Sequence, residues 1–267
     1  MKGDFHREQF EKCLQTTWLG RPFLYEKKLV STNSTLKQRN DLDGHGLLLL
    51  AEDQTGGRGQ YNRRWVSDPG KNLTFSVQLC PDSAHADGLL MLSLCMASSI
   101  VHALKSYVPG PIRIKWPNDV LIEGKKVAGI LTEGVFQGNR LQKLILGVGL
   151  NVFQFPEGDD MGSVEKQATS VAHESGCSLT REQVLADILN AFEFKYTDWE
   201  QQKEYLCRSV SHELVGFGEW VQLFVDGDLQ PGRRKFLGVN CRGECLLLNE
   251  DLNVDTFKHE QIRILTD

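Results

Sequence analysis

Two lysines, a tryptophan and a carboxylate are concentrated in one short part of the chain. The segment 115–119 has the sequence KWPND, and a second lysine, Lys126, follows in the segment 124–131. Ammonium groups bind carboxylates and phosphates, the Trp-Pro pair predicts a rigid, partly buried turn, and Gly129 leaves room for a ligand against a strand. Lys115, Lys126 or Asp119 taken alone would be read as a solvated surface charge. Together they predict chemistry on an anionic substrate.

A basic, glycine-rich loop is the second candidate. Between residues 54 and 71 the chain has four glycines, a tryptophan, and four basic side chains against one acidic one. Glycines allow close approach of the backbone to a ligand and suit a segment that becomes ordered when an anion binds. The alternative is a solvated surface loop, but loops of this length without secondary structure are uncommon unless they are functional or disordered.

Composition argues against several classes of protein. The 267 residues include 30 basic and 35 acidic side chains, so no global positive field exists for a nucleic acid or an anionic membrane. The longest apolar stretch, Leu89–Leu104, is shorter than the roughly 20 residues of a membrane span and predicts a buried helix. A charged amino terminus and seven scattered cysteines indicate a reducing cytoplasm.

Common nucleotide and zinc motifs are incomplete. Gly124-Lys125 lacks the other residues of a Walker loop, and the segment 147–152 lacks the third glycine of a dinucleotide fingerprint. His173-Glu174 has no second histidine at the spacing of a zinc protease. These functions are therefore not expected.

Hydrophobic periodicity predicts a main domain of mixed strands and helices over residues 1–213. Strands are predicted at residues 23–30, 46–51, 72–79, 112–116, 126–135 and 141–152, with one packed face for 72–79. Helices are predicted after the cap residues 31–33, over 86–107, and after a capping box at 180–183. Residues 118–119 are typical of a turn.

A smaller β-rich domain is predicted over residues 214–267. Short strand patterns punctuated by glycine occur at residues 221–225, 234–239 and 245–248. Their hairpin spacing favours a small β-barrel that packs closely on the main domain.

With these motifs in order, the chain resembles the biotin protein ligases from about residue 19 to the C-terminus. The matching blocks are residues 31–33, 52–65, 70–73, 115–119, 126–133, 147–151 and 168–170. The resemblance implies an α+β fold, in which a mixed β-sheet flanked by helices, as in class II aminoacyl-tRNA synthetases, precedes an SH3-like β-barrel. It also implies a biotin–[biotin carboxyl-carrier protein] ligase, which forms biotinyl-5'-AMP from biotin and Mg-ATP. The biotin then passes to a lysine of the carrier protein or domain of a biotin-dependent carboxylase.

The resemblance assigns site residues position by position. Biotin contacts are expected from Ser31, Thr32, Asn33, Gln54, Gly57, Arg58, Lys126 and Gly129. ATP and adenylate contacts are expected from Arg58, Arg63, Trp65, Lys115, Asn118, Asn151 and Ala168. The catalytic group is expected to be Lys126, Arg58, Lys115 and Asp119, with Asp119 binding Mg²⁺ or steering the attacking amine.

The chain departs from the family pattern in the basic loop. Gln60 stands where many members have arginine, and Asn62 where they have glycine, which could loosen retention of the adenylate. Only about twenty residues precede the catalytic part, so the DNA-binding domain of some members, and with it a nucleic-acid partner, is not expected. We expect a monomer or homodimer. The alternatives are a lipoate or octanoate transferase and a non-catalytic biotin-binding module.

Overall fold

The secondary structure is divided between a large and a small β-sheet. A computed structural model describes residues 4–39, 44–60, 63–81, 88–155 and 168–265. The helices are α1 (Arg7–Cys13), α2 (Thr32–Gln38), α3 (Leu89–Leu104), α4 (Val171–Glu174), α5 (Arg181–Gln201) and α6 (Lys203–Ser211). The strands are β1 (Phe23–Leu29), β2 (Leu47–Gln54), β3 (Leu73–Leu79), β4 (Ile112–Lys115), β5 (Asp119–Ile122), β6 (Lys125–Gln137), β7 (Arg140–Leu150), β8 (Trp220–Val225), β9 (Asp228–Leu229), β10 (Arg234–Val239), β11 (Cys245–Leu248), β12 (Val254–Phe257) and β13 (Ile262–Leu265).

The large sheet is mixed and has seven strands. Its order is β1-β2-β3-β7-β6-β5-β4, in which β1 and β2 are parallel and the other neighbours are antiparallel. Helices α3 and α5 join the principal core, and the predicted buried helix Leu89–Leu104 is confirmed. Within the described residues, no helix has the length and apolar character needed to cross a membrane.

Strand β3 lies in the middle of this sheet and is buried on both faces. The prediction of one packed face is therefore wrong, since all seven residues of β3 are buried. The polar residue Ser76 is accommodated because its Oγ lies 2.6 Å from Thr32 Oγ1 and from Asn33 Oδ1 in α2. Helix α2 thus covers the face of the sheet opposite α3, and its Leu36 packs against Leu49.

The short helix α2 begins where its sequence predicts. Ser31 is the N-cap, and its side chain accepts a hydrogen bond from Ser34 N. At the other end, buried Lys143 donates to the carbonyls of Leu36 and Arg39. Helix α2 is therefore fixed at both ends above the sheet.

The small sheet is antiparallel and follows α6. Its order is β12-β11-β10-β8-β13, and β9 pairs with β8. Three of its strands match the predicted ones, whereas β9, β12 and β13 contain only two to four residues each and were not predicted. The Trp116 indole N–H donates to Gly243 O at 3.0 Å, and Val215 N donates to Ile114 O at 2.9 Å. The predicted domain boundary after residue 213 falls at this junction and stays a prediction.

Candidate functional site

Three glycines leave a trough across the centre of the large sheet. Gly129 in β6 is the cross-strand partner of Gly149 in β7, and Gly147 lies two residues away on the same face. We call these three residues the glycine floor. A Cβ added at Gly149 would lie 2.2 Å from Trp65 Cε2, and one at Gly147 would lie 2.2 Å from Asn33 Oδ1. Only glycine lets Trp65 and Asn33 lie so close to the sheet.

One end of the floor is lined by predicted biotin contacts. The backbone N–H and the hydroxyl of Thr32 donate to Gln54 Oε1 at 2.7 and 3.1 Å. Asn33 donates through Nδ2 to Leu131 O at 3.1 Å. The structure therefore brings Ser31, Thr32, Asn33 and Gln54 together, with Thr32 bound to Gln54 and Asn33 bound to β6.

The basic loop folds over the floor as a short hairpin. Trp65 N donates to Gly57 O at 3.0 Å, and Gly59 N donates to Arg63 O at 2.7 Å. Arg58 and Arg64 form an isolated antiparallel bridge. A Cβ at Gly57 would lie 2.6 Å from Trp65 O, so this close backbone approach requires glycine. The predicted departure at Asn62 lies outside the described residues.

Arg58 is held by a carboxylate that the sequence analysis did not single out. Its Nη2 donates to Ser34 Oγ at 3.0 Å and lies 3.4 Å from Glu133. Glu133 also accepts from Lys37 Nζ at 2.9 Å and from Asn33 Nδ2 at 2.8 Å. Burial raises the pKa of Glu133, but these bonds outweigh burial and the net pKa is lowered. Its position at the end of the 126–133 motif is the signal that could have identified it.

Lys126 lies over Gly129, which is the remaining glycine of the floor. Its Nζ forms an ion pair with Asp119 Oδ1 at 2.6 Å and would lie 3.2 Å from a Cβ at Gly129. Asp119 and Gly129 are cross-strand partners in β5 and β6. Lys115 lies in β4 and is the cross-strand partner of Asp119. In the described part of the chain, Lys115 forms no ion pair, and Asp119 is paired with Lys126. Of the four predicted catalytic residues, Lys126 and Asp119 are thus in contact, Lys115 is their neighbour, and Arg58 lies on the basic loop.

The turn predicted at residues 118–119 is only partly correct. Asp119 already belongs to β5, because it pairs with Lys115 across the β4–β5 hairpin. Asn118 donates through Nδ2 to Ile130 O at 2.9 Å, and Ile130 N donates back to Asn118 O. The side chain of Asn118 therefore fixes the hairpin on β6.

Two buried polar atoms lack partners where the adenylate contacts are predicted. Asn151 donates through Nδ2 to Thr169 O at 3.1 Å, but its Oδ1 accepts nothing from the described residues. Trp65 Nε1, also buried, has no acceptor among them. Ala168 pairs with Lys126 through the backbone and brings its segment to the same region. Buried groups are normally hydrogen-bonded, so an unpaired donor and acceptor favour a ligand site.

A buried ion pair anchors the base of the basic loop. Arg181 donates to Glu52 at 2.6 and 2.9 Å, and Glu52 also accepts from Gly70 N at 3.0 Å and from the Tyr25 hydroxyl at 2.9 Å. Burial raises the pKa of Glu52, but these donors lower it further than burial raises it. Burial and Glu52 together raise the pKa of Tyr25 to about 12. The pair fixes both ends of the loop.

A cavity of about 340 Å³ lies beside the loop. Its lining includes Arg58, Gln60, Leu131, Glu133, His259 and Glu260. His259 and Glu260 come from the small sheet. No motif in the sequence signalled this contribution.

Comparison with known proteins identifies the family. The profile of the Biotin/lipoate A/B protein ligase family matches residues 27–151. The chain is 30% identical over 202 residues to the biotin--[acetyl-CoA-carboxylase] ligase of Mycobacterium tuberculosis, covering 74% of this chain and 72% of that protein. This chain belongs to the biotin protein ligase family. The family resemblance is confirmed.

A longer relative and a solved structure are also similar to this chain. The bifunctional ligase/repressor BirA of Bacillus spizizenii is 36% identical over 199 residues, which are 74% of this chain but only 60% of that protein. The biotin protein ligase of Aquifex aeolicus in complex with biotin and ATP superposes with a TM-score of 0.75 and 28% identity, covering 92% of this chain and 100% of that one. The predicted α+β fold class, with its small C-terminal β-sheet, is confirmed.

Proposed function

We propose that the chain is an ATP-dependent biotin protein ligase, which adenylates biotin and transfers it to a lysine of a carrier protein. The observation that carries this proposal is the glycine floor, covered by Lys126 at one end and bounded by two unpaired buried polar atoms. The names of the M. tuberculosis relative and of the A. aeolicus complex support biotin and ATP as substrates.

The two ends of the trough fit the two substrates. The amide and hydroxyl groups of Thr32, Asn33 and Gln54 match a ureido ring, which both donates and accepts hydrogen bonds. Trp65 Nε1 and Asn151 Oδ1 offer one donor and one acceptor to the nucleotide. Lys126 lies beside Gly129, where we place the biotin carboxylate and the α-phosphate of ATP.

Adenylation needs position and positive charge more than a base. A carboxylic acid with a pKa of about 4.3 is ionised at neutral pH, so biotin can attack the α-phosphorus directly. One carboxylate oxygen forms the new bond to phosphorus, and pyrophosphate leaves with the electrons of the broken P–O bond. Arg58, Arg63, Lys115 and Lys126 supply cations for the crowded phosphate oxygens. Lys126 forms an ion pair with Asp119, and its ammonium group has three N–H groups that can donate to substrate oxygens.

Mg²⁺ fits this site as an ion bound to the phosphates of ATP. The described residues include no cluster of three metal-ligating His, Cys, Asp or Glu side chains, and Asp119 is paired with Lys126. Mg²⁺ usually keeps water and substrate phosphates as ligands and takes one or two carboxylates. We therefore propose that Asp119 could add one ligand to an ion that arrives with ATP and neutralises its phosphates.

Transfer requires a carrier and a suitable compartment. We propose the biotin carrier domain of a biotin-dependent carboxylase as the acceptor, which the name of the M. tuberculosis relative supports. All seven cysteines are free thiols, which is consistent with a cytoplasmic location.

The direct test is transfer of labelled biotin. The protein is incubated with labelled biotin, ATP, Mg²⁺ and a carboxylase carrier domain, and the label is sought on the carrier. A carrier whose target lysine is replaced by arginine is the matched control. Label that depends on ATP and on this lysine is expected, and an unlabelled carrier would contradict the proposal.

A lipoate or octanoate transferase is the second candidate, because the description of the matched family profile names lipoate beside biotin. Exchange of labelled pyrophosphate into ATP, measured with biotin, lipoate and octanoate separately, distinguishes the substrates. We expect exchange with biotin. Preference for octanoate or lipoate would favour the second candidate.

A further inference from the structure

The outer wall of the 340 Å³ cavity comes from a turn of the small sheet. This turn, residues 258–261, joins β12 to β13 and is closed locally, since Gln261 N donates to Lys258 O at 3.1 Å. His259 Nδ1 lies 3.3 Å from Glu260 Oε2, while the Glu260 side chain keeps 64% of its surface exposed. In the described part of the chain, no lysine or arginine lies within 4.0 Å of this carboxylate. Glu260 thus presents an acidic group to the cavity without a strong cationic partner.

The position of this turn is tied to the catalytic hairpin. Trp116 directly follows Lys115, and its indole N–H donates to Gly243 O in the small sheet at 3.0 Å. The Trp116 ring also meets His259 edge-on, with 6.5 Å between the ring centroids. The acidic group is therefore held at a defined place relative to Lys115 and Asp119.

The charges around the cavity differ between its walls. Arg58 on the loop side is already paired with Glu133, which is also bound to Lys37. Thr132 lies in the same wall, and its buried hydroxyl has no partner among the described residues. Arg58 is the only lysine or arginine in the described lining and is already paired, whereas Glu260 has no lysine or arginine within 4.0 Å in the described part of the chain, so Glu260 suits a cation. In the proposed reaction the cationic substrate is the acceptor lysine, which is almost wholly protonated at neutral pH.

We propose that Glu260, oriented by His259, is a positioning residue that receives the ε-ammonium group of the acceptor lysine at the mouth of this cavity. The inference rests on the proposed ligase function. The nitrogen loses one proton to solvent and attacks the acyl carbon of biotinyl-AMP. A C–N bond forms, the C–O bond to the phosphate breaks, and AMP leaves with that electron pair. The second proton on nitrogen also passes to solvent, so the products are an amide, AMP and two protons.

The test separates the two half-reactions in the full-length Glu260→Gln variant. Biotin-dependent pyrophosphate exchange is expected to stay at the wild-type rate, while kcat/KM for the carrier falls about fivefold, the effect of a partly solvated charge pair. Glu260→Lys should reduce transfer further. Asp251→Asn removes another exposed carboxylate from the small sheet and is the matched control.

A neutral nucleophile distinguishes positioning from a structural effect. Hydroxylamine is uncharged at neutral pH, so its reaction with the enzyme-bound adenylate should be equal in wild type and Glu260→Gln. The salt dependence of carrier biotinylation should also be weaker in the variant. Equal losses with carrier and hydroxylamine, no loss with either, or a raised KM for ATP in exchange would overturn the inference. Absence of exchange in the wild type would instead refute the proposed function.

Discussion

Replacing Gly149 with alanine tests the glycine floor by adding one methyl group. The added Cβ would lie 2.2 Å from Trp65 Cε2 and 2.4 Å from Cζ2. Carbon atoms pack at about 3.5–4.0 Å, so the indole must retreat by about 1.5 Å. Trp65 lies on the loop over the sheet, and its buried Nε1 is one of the proposed nucleotide contacts.

The cost of this substitution should appear in substrate binding more than in folding. Overpacking costs about 1–3 kcal/mol where neighbours cannot move, but a loop residue can move. We therefore expect kcat/KM for ATP in biotin-dependent exchange to fall about 10- to 100-fold, equivalent to about 1.4–2.7 kcal/mol. The melting temperature should change by less than about 4 °C.

A matched substitution keeps this prediction refutable. Gly176 has open space where a Cβ would be added, so Gly176→Ala should leave both exchange and melting temperature unchanged. Wild-type kcat/KM in Gly149→Ala would refute the assignment of Trp65 to the nucleotide side. A large loss of stability would show that the floor serves packing instead.

Three further substitutions test the cations and the anchor of the loop. Lys126→Ala should lower kcat/KM for adenylation by about 2–4 kcal/mol, the scale of a lost electrostatic contact in the transition state, and near-normal exchange would contradict its role. Arg58→Ala should weaken the binding of biotin and ATP. In the wild-type protein, biotin with ATP should slow tryptic cleavage of the basic loop. Equal cleavage with and without these ligands would argue against ordering of the loop on binding. Arg181→Met should cost about 3–5 kcal/mol in urea unfolding at neutral pH, because it leaves Glu52 buried and unpaired. Since the folded-state pKa of Glu52 is lowered, the stability from the pair is present above its unfolded pKa of about 4.3 and is lost as pH falls through the folded value. The gap between wild type and Arg181→Met should therefore narrow in acid, and a constant gap from about pH 7 to pH 3 would contradict this origin.

Local signals predicted much of the fold and several parts of the site. The Ser31 cap, the buried helix Leu89–Leu104 and the strands around Lys126 follow from side-chain type and periodicity. The family resemblance also predicted the biotin contacts, which come from separate parts of the chain. The cap, the buried helix and the strands depend on neighbours close in sequence.

Features set by tertiary contacts were not predictable in the same way. Gly129 and Gly149 form one floor only through the β6–β7 register, and Asn33 covers Gly147 across more than a hundred residues of sequence. Polar alternation suggested an exposed face for β3, but α2 covers that face and satisfies Ser76. The three short strands of the small sheet are fixed by pairing rather than by their own periodicity.

The measurement that tests the central claim most directly is formation of the acyl-adenylate without any carrier. Purified protein is mixed with biotin, ATP and Mg²⁺, and the bound small molecules are identified by mass spectrometry alongside pyrophosphate exchange. The account predicts biotinyl-5'-AMP on the wild-type protein and a strong reduction in Lys126→Ala. Wild-type protein that forms no adenylate and shows no biotin-dependent exchange would contradict it.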